Sequence, residues 1–382
     1  MKKDSLERVL WAVGVSALIS LGSTEQKPYA TPTKEKAQLK SENTFFHADT
    51  PETREQILVA LVDTGMDPYH SLLKDFLWTN PGESGVDEQG FNRATNGKDD
   101  DGNGFVDDVH GWNFVDQNAN ISDEHGHGTH IAGLVTQGLK KSSKIRIMIL
   151  KYYGSQGAGA ATLNASNQAI AYAVQNGAKI INYSGGGDLP SLTEEQLFRQ
   201  AFEKDLAVVA ASGNDGRETD TSGFFPASYD FPNILSVASL DSNNNLLPSS
   251  NRGPDSVDTA ALGKDVLSTL PHHRKGFMTG TSQATALMTG MLAQIYEQYP
   301  RHSSEENFKR LLESALPNEN LRGQIRIPRT PKLERALKMR SANEISPQFQ
   351  LNQKVTLVHD PLIEEEVHIQ KDLAPANRET LP

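Results

Sequence analysis

The chain has 382 residues, room for one large domain or two ordinary ones, and its 37% hydrophobic content with 30 glycines fits a soluble globular protein rich in tight turns. A formal net charge of −11 argues against nucleic acid as a partner, which calls for a basic face. With no cysteine, the sequence excludes disulfides, thiol catalysis and cysteine-ligated zinc.

In chain order, Lys2 and Lys3 precede an apolar run from Val9 to Leu21, with the small residues Ser20 and Gly22 at its end. The run is shorter than the ~20 apolar residues that span a bilayer. It reads as a signal peptide over 1–22, with an uncleaved anchor as the alternative. A secreted or cell-envelope protein is expected, without stable membrane association after cleavage. Residues 23–55 carry Pro28, Pro32 and Pro51 among many polar residues and read as a flexible lead or short pro-segment.

From Ile57 onward, short apolar strands alternate with amphipathic helices. Ile57 to Val62 is a continuous apolar run, the pattern of a central parallel strand. A helix is predicted over 127–139, burying Ile131, Leu134 and Val135; the strand Ile145 to Leu150 follows. Next come a helix over 163–175, a strand at Ile180-Ile181, a helix capped by Thr193 with Gln196, and a strand over 206–211. A long helix begins at Ser282, its stripe running through Ala284, Leu287, Met288, Met291, Leu292, Ile295 and Tyr296 until Pro300. This alternation predicts an α/β fold, a mostly parallel central sheet with helices on both faces, over 56–338. Residues 339–382 read as a small C-terminal appendage, partly disordered.

In such sheets, ligands bind at the carboxyl ends of the strands. Asp63 ends the first strand, His127 opens its helix, and Ser282 stands at a helix N-terminus, where free N–H groups and the dipole favour an oxyanion. A serine hydroxyl needs a base to take its proton, imidazole has the suitable pKa, and a carboxylate orients the imidazole. Each residue alone has an ordinary reading as a cap or turn former. Together they point to an Asp-His-Ser triad.

Asp63-Thr64-Gly65, His127-Gly128-Thr129-His130 and Gly280-Thr281-Ser282, in that order, resemble the subtilisin-like serine proteases, or subtilases. The resemblance runs from about Ile57 to Ala336. It implies a serine endopeptidase acting on polypeptides through an acyl-enzyme, with His127 rather than His125 or His130 as the base. It also implies Asn214 as the oxyanion donor, and Gly157-Ala158-Gly159 and Ser184-Gly185-Gly186 as edges of the peptide groove. Phe224 is expected near the floor of the primary pocket, limiting its depth. Gln283, Ala284, Thr285 and Ala286 depart from the family's usual Met-Ala-Ser/Thr-Pro, and Gly185 and Leu262 replace a usual leucine and proline. A catalytically silent subtilase fold serving as a peptide-binding module is the competing reading. A monomer is expected.

Asp99-Asp100-Asp101-Gly102-Asn103-Gly104-Phe105 repeats the first half of an EF-hand loop, with oxygen ligands at alternate positions and glycine at the sixth. It predicts a structural calcium bound by Asp99, Asp101, Asn103 and the Phe105 carbonyl. His110 stands where the bidentate glutamate belongs, so Asp107 or Asp108 must replace it, Asp108 being preferred.

Overall fold

The structure is a computed structural model and describes residues 56–154 and 159–339. The expected signal peptide, the lead over 23–55, Gly157 and Ala158, and the appendage beyond Met339 lie outside the described residues.

The first strand, β1 (Ile57–Asp63), is buried along its whole length because both of its faces are covered. Ile57, Val59 and Leu61 enter one apolar core and Leu58, Ala60 and Val62 the other, as the two-residue period of a strand requires. The chain continues through β2 (Gly111–Asn113), α1 (His127–Val135), β3 (Ile145–Lys151), α2 (Ala160–Gln175), β4 (Ile180–Tyr183) and α3 (Leu192–Glu203). Then come β5 (Ala207–Ala211), the short α4 (Thr219–Ser222), β6 (Ile234–Leu240) and β7 (Thr259–Leu262). A hairpin, β8 (Val266–Leu270) and β9 (Arg274–Met278), leads into α5 (Thr281–Gln298), α6 (Ser304–Glu313) and α7 (Leu333–Lys338).

Seven strands form one sheet in the order β2-β3-β1-β4-β5-β6-β7, every pairing parallel. Buried residues of α1, α5 and α6 fill the core on one face, and those of α2 and α3 fill the other. The expected α/β architecture with helices on both faces is the one observed.

Three boundaries differ from the reading of the sequence. Helix α1 stops at Val135, four residues early, because Thr136 turns its side chain onto the Ala132 carbonyl at 2.8 Å and Gly138 takes a positive φ. Helix α2 begins at Ala160, three residues before the first periodic apolar position. The cap of α3 is Ser191, whose side chain accepts from the Glu194 N–H, rather than Thr193 with Gln196.

Candidate active site

Parity along β1 decides where the chemistry lies. Asp63 follows Val62, so it falls on the same face as Val59 and Leu61, the face covered by α1 and α5. Those two helices begin with His127 and Thr281-Ser282, so the carboxyl end of β1 meets two helix N-termini. Asp63, His127 and Ser282 are all buried, at 3%, 4% and 1% exposure.

The Asp63 Oδ1 lies 2.7 Å from His127 Nδ1 and also accepts the Thr64 N–H at 2.8 Å. An Nδ1 proton shared with this carboxylate sets the orientation of the imidazole. Close approach makes this possible: a Cβ at Gly128 would lie 2.0 Å from the Gly65 carbonyl, so only glycine lets α1 come so near β1. Neither other histidine of the motif competes. His130 Nε2 donates to the carbonyls of Val266 at 3.0 Å and Gly276 at 3.2 Å, tying α1 to the hairpin, and burial pushes its pKa down to about 4. The His125 ring stands edge-on to those of His127 and Tyr153.

Sequence reasoning missed the brace beneath this pair. Asp123 is buried, and its Oδ1 accepts from Thr64 Oγ1 and from the N–H groups of His125 and Gly126. Its Oδ2 accepts from Thr129 N–H and Oγ1 at 2.8 and 2.7 Å. One carboxylate therefore caps α1 and holds the end of β1 against it. The sequence signal was an aspartate four residues before a helix-opening histidine.

Ser282 Oγ donates to the Ser184 carbonyl at 3.0 Å, and Ser184 Oγ donates to the Ser282 carbonyl at 3.3 Å. Ser184 follows β4 directly, and Asn182 of that strand accepts from Thr289 of α5 at 2.9 Å, so the serine helix is pinned to the sheet. Asn214 sits beyond the end of β5, where its Oδ1 accepts the Thr281 N–H at 2.8 Å. A backbone N–H can only donate, so the amide oxygen must face it and Nδ2 is the donor end, 3.4 Å from where a Cβ at Gly280 would stand. Gly213 needs φ +98°, and a Cβ there would meet the Asn251 side-chain amide at 2.3 Å. Asn251 in turn accepts from the N–H groups of Asp215 and Arg217 at 3.0 Å and fixes the turn that presents Asn214.

Of the expected groove residues, Gly159 stands at the N-cap of α2. Gly185 and Gly186 extend from β4, and a Cβ at Gly185 would lie 2.2 Å from the Tyr152 hydroxyl, which accounts for glycine where the resemblance leads one to expect leucine. Phe224 is fully buried between Gly186 and Gly213; a Cβ at Gly186 would come within 2.4 Å of its ring.

The acidic loop is joined by a carboxylate that the sequence did not single out. Both oxygens of Asp108 are committed, Oδ1 to Asn80 Nδ2 at 2.7 Å and Oδ2 to Asn103 Nδ2 at 2.9 Å and the Tyr172 hydroxyl at 2.5 Å. The structure brings Glu83 to Asp99 and Asp101, with carboxylate oxygens all within 4.8 Å. Glu83 is fully buried, and its Oε2 has no hydrogen-bond partner among the described residues. Burial and the neighbouring Asp108, Asp101 and Asp100 push its carboxyl up to about 7. A buried carboxylate facing two more carboxylates fits a hard divalent cation and is otherwise costly. The Asn103 side chain accepts from the Phe105 N–H at 2.7 Å, and the Phe105 ring packs edge-on against Trp112, Phe114 and Tyr172.

The model of the subtilase family matches residues 54–339. Subtilisin DY of Bacillus licheniformis is 34% identical over 215 residues, covering 54% of this chain and 76% of its own. The major intracellular serine protease of Bacillus subtilis (strain 168) is 32% identical over 276 residues, covering 68% and 76%. The thermophilic serine proteinase of Bacillus sp. (strain AK1) is 35% identical over 197 residues, and the match spans 47% of its length, about half. Among solved structures, a lanthipeptide protease superposes with a TM-score of 0.57 at 23% identity over 75% of this chain and 88% of its own, a likeness of fold.

Proposed function

The chain belongs to the subtilase family, and on that premise we propose that it is a serine endopeptidase in which Asp63, His127 and Ser282 are orienting carboxylate, general base and nucleophile. The observation that carries this is the 2.7 Å contact of Asp63 with His127, on the face of the sheet that the helix bearing Ser282 also covers. In the proposed sequence the Ser282 hydroxyl swings from the Ser184 carbonyl to His127 Nε2, gives up its proton and attacks the scissile carbonyl. The Ser282 N–H and Asn214 Nδ2 hold the oxyanion. His127 then passes the proton to the leaving amine, and water hydrolyses the acyl-enzyme by the same steps. Labelling with a fluorophosphonate tests the assignment. Wild type should label and Ser282→Ala should not; peptidase activity surviving in pure Ser282→Ala would refute it. It would also separate this reading from a silent peptide-binding module.

Phe224 closing the floor between Gly186 and Gly213 supports a preference for small or modest apolar side chains in the primary pocket. Strong preference for Arg or Lys in peptide profiling would overturn it. For the loop we propose a structural calcium held by Glu83, Asp99 and Asp101, with Asn103 and the Phe105 carbonyl beside them; the unpartnered buried Glu83 oxygen supports it. When bound, the ion would offset two of the three negative charges gathered there. Export through residues 1–22 and a monomeric state complete the reading. Among the described residues no helix is long and apolar enough to cross a membrane. A reporter fused behind Gly22 that stayed in the cytosol, or a dimer in light scattering, would count against these two points.

A further inference from the structure

Glu194 has no part in the reaction above, yet it is buried in the first turn of α3 at 3% exposure. Among the described residues no cationic side chain pairs with it. Its Oε2 faces the Tyr229 hydroxyl at 3.0 Å, and the Tyr183 hydroxyl is its other hydrogen-bonding neighbour. Tyr183 also meets Ser166 Oγ of α2 at 2.7 Å. Glu195, the next residue of α3, also acts on Tyr229. Beyond the groove segment, Asp188 is paired with Arg217. Burial raises the Glu194 carboxyl to about 7.

These two tyrosines hold the two ends of one functional segment, Ser184–Gly187. Tyr183 precedes Ser184, the residue that exchanges hydrogen bonds with Ser282. At the other end, Gly187 and Phe225 exchange backbone hydrogen bonds at 2.9 and 2.7 Å, and the Phe225 ring rests 4.8 Å from that of Tyr229. We propose that Glu194 is a positioning residue for this substrate wall: its carboxyl group anchors the tyrosines at both ends of Ser184–Gly187, and the wall holds a peptide less well once that carboxyl loses its proton. The inference rests on the reading of Ser184–Gly187 as the peptide groove.

A count of protons gives the direction. Tyr229 has one phenolic proton and two acceptors in reach, the Ser191 carbonyl at 3.1 Å and Glu194 Oε2 at 3.0 Å, while its oxygen accepts the Ser191 N–H at 2.8 Å. A protonated Glu194 donates to a tyrosine oxygen and leaves the Tyr229 proton for Ser191, so every group is satisfied. An ionised Glu194 claims that proton, leaves the Ser191 carbonyl with only the Glu195 N–H at 2.8 Å, and is a buried anion with no counter-charge among the described residues. Relief requires the carboxylate or its tyrosines to shift, and both ends of the wall shift with them.

The experiment measures peptide KM and kcat for the full-length wild type, Glu194→Gln and Glu194→Leu from acid to alkaline pH. The reacting groups are common to all three, so their own pH dependence cancels in ratios between them. Glutamine keeps a donor and an acceptor but cannot ionise, so wild-type KM should rise on the order of threefold relative to Glu194→Gln as pH passes through about 7, with kcat little changed. Glu194→Leu should raise KM at every pH, whereas Glu194→Gln restores it below neutrality, a split that a merely structural role would not produce. Superimposable wild-type and Glu194→Gln profiles, or a folded Glu194→Leu with wild-type KM, would overturn the inference. If Glu194→Leu does not fold, the glutamine comparison decides alone. Activity surviving in Ser282→Ala would instead defeat the underlying assignment, so the two failures are distinguishable.

Discussion

Gly290 offers a test of the site that touches none of its reacting groups. It lies in α5 where that helix crosses α1, and a Cβ there would stand 2.7 Å from the Val135 carbonyl and 3.3 Å from that of Leu134. Ordinary contact begins near 3.4 Å, so Gly290→Ala must part the helices by about 0.7 Å at this point, against backbone atoms in a close-packed core that give little. The overpacking costs about 1–3 kcal/mol, offset by about 1 kcal/mol from the better helix propensity of alanine, a small net loss of stability. Activity should suffer more. His127 heads one helix and Ser282 the other, and misplacement of about 1 Å costs about 10²-fold in rate, so several tenths of an ångström should lower kcat/KM about tenfold. Thermal unfolding, kcat/KM and the rate of fluorophosphonate labelling read these two effects separately. A variant with unchanged melting temperature and wild-type kcat/KM would show that the α1–α5 spacing does not set the alignment of His127 and Ser282.

Asn214→Ala should lower kcat by about 10²–10³ with KM nearly unchanged, a figure established on subtilisin itself; a loss confined to KM would remove Asn214 from the oxyanion site. Calcium should raise the melting temperature and a chelator should lower it by mass action, with both shifts abolished in Asp99→Ala/Asp101→Ala and reduced in Glu83→Gln. A wild-type melting curve indifferent to calcium would refute the site, and full response in Glu83→Gln would remove that ligand. Acid should destabilise the fold through His130, whose pKa is lowered from 6.5 to about 4. A depressed pKa means that the unfolded chain binds the proton first, so this contribution is complete above 6.5 and is lost as pH falls toward 4, at most about 3 kcal/mol. Urea titrations giving equal stability at the two ends of that window, after comparison with His130→Asn, would contradict it.

Features carried by local pattern could be read before the structure. The unbroken run of β1, the stripe of α5 and the motifs around Asp63, His127 and Ser282 mark strand ends and helix mouths because period and capping act over a few residues. Short elements escaped. In β7 only four residues form the strand, and in β9 the exposed Arg274, Lys275 and Phe277 hide any apolar alternation. Partners distant in sequence escaped too. Glu83 reaches the acidic loop from before it, outside the EF-hand spacing that picks out Asp99, Asp101 and Asp108. Glu194 sits at the third position after the Ser191 cap, where a glutamate usually faces solvent; only the packing of Tyr183 and Tyr229 shows it to be buried.

The Asp123 brace bears on how much the chain length of this enzyme can vary. Asp63 and His127 are 64 residues apart in sequence, and the excursion between them contains the acidic loop and little of the sheet. Asp123 fastens the two ends of that excursion to each other through Thr64 on one side and His125, Gly126 and Thr129 on the other. Lengthening such a closed loop costs only about 0.6 kcal/mol per doubling. Insertions or deletions within the excursion can therefore accumulate without shifting the base against its carboxylate, and a transplanted loop keeps catalytic register so long as Thr64 and Asp123 travel with their partners.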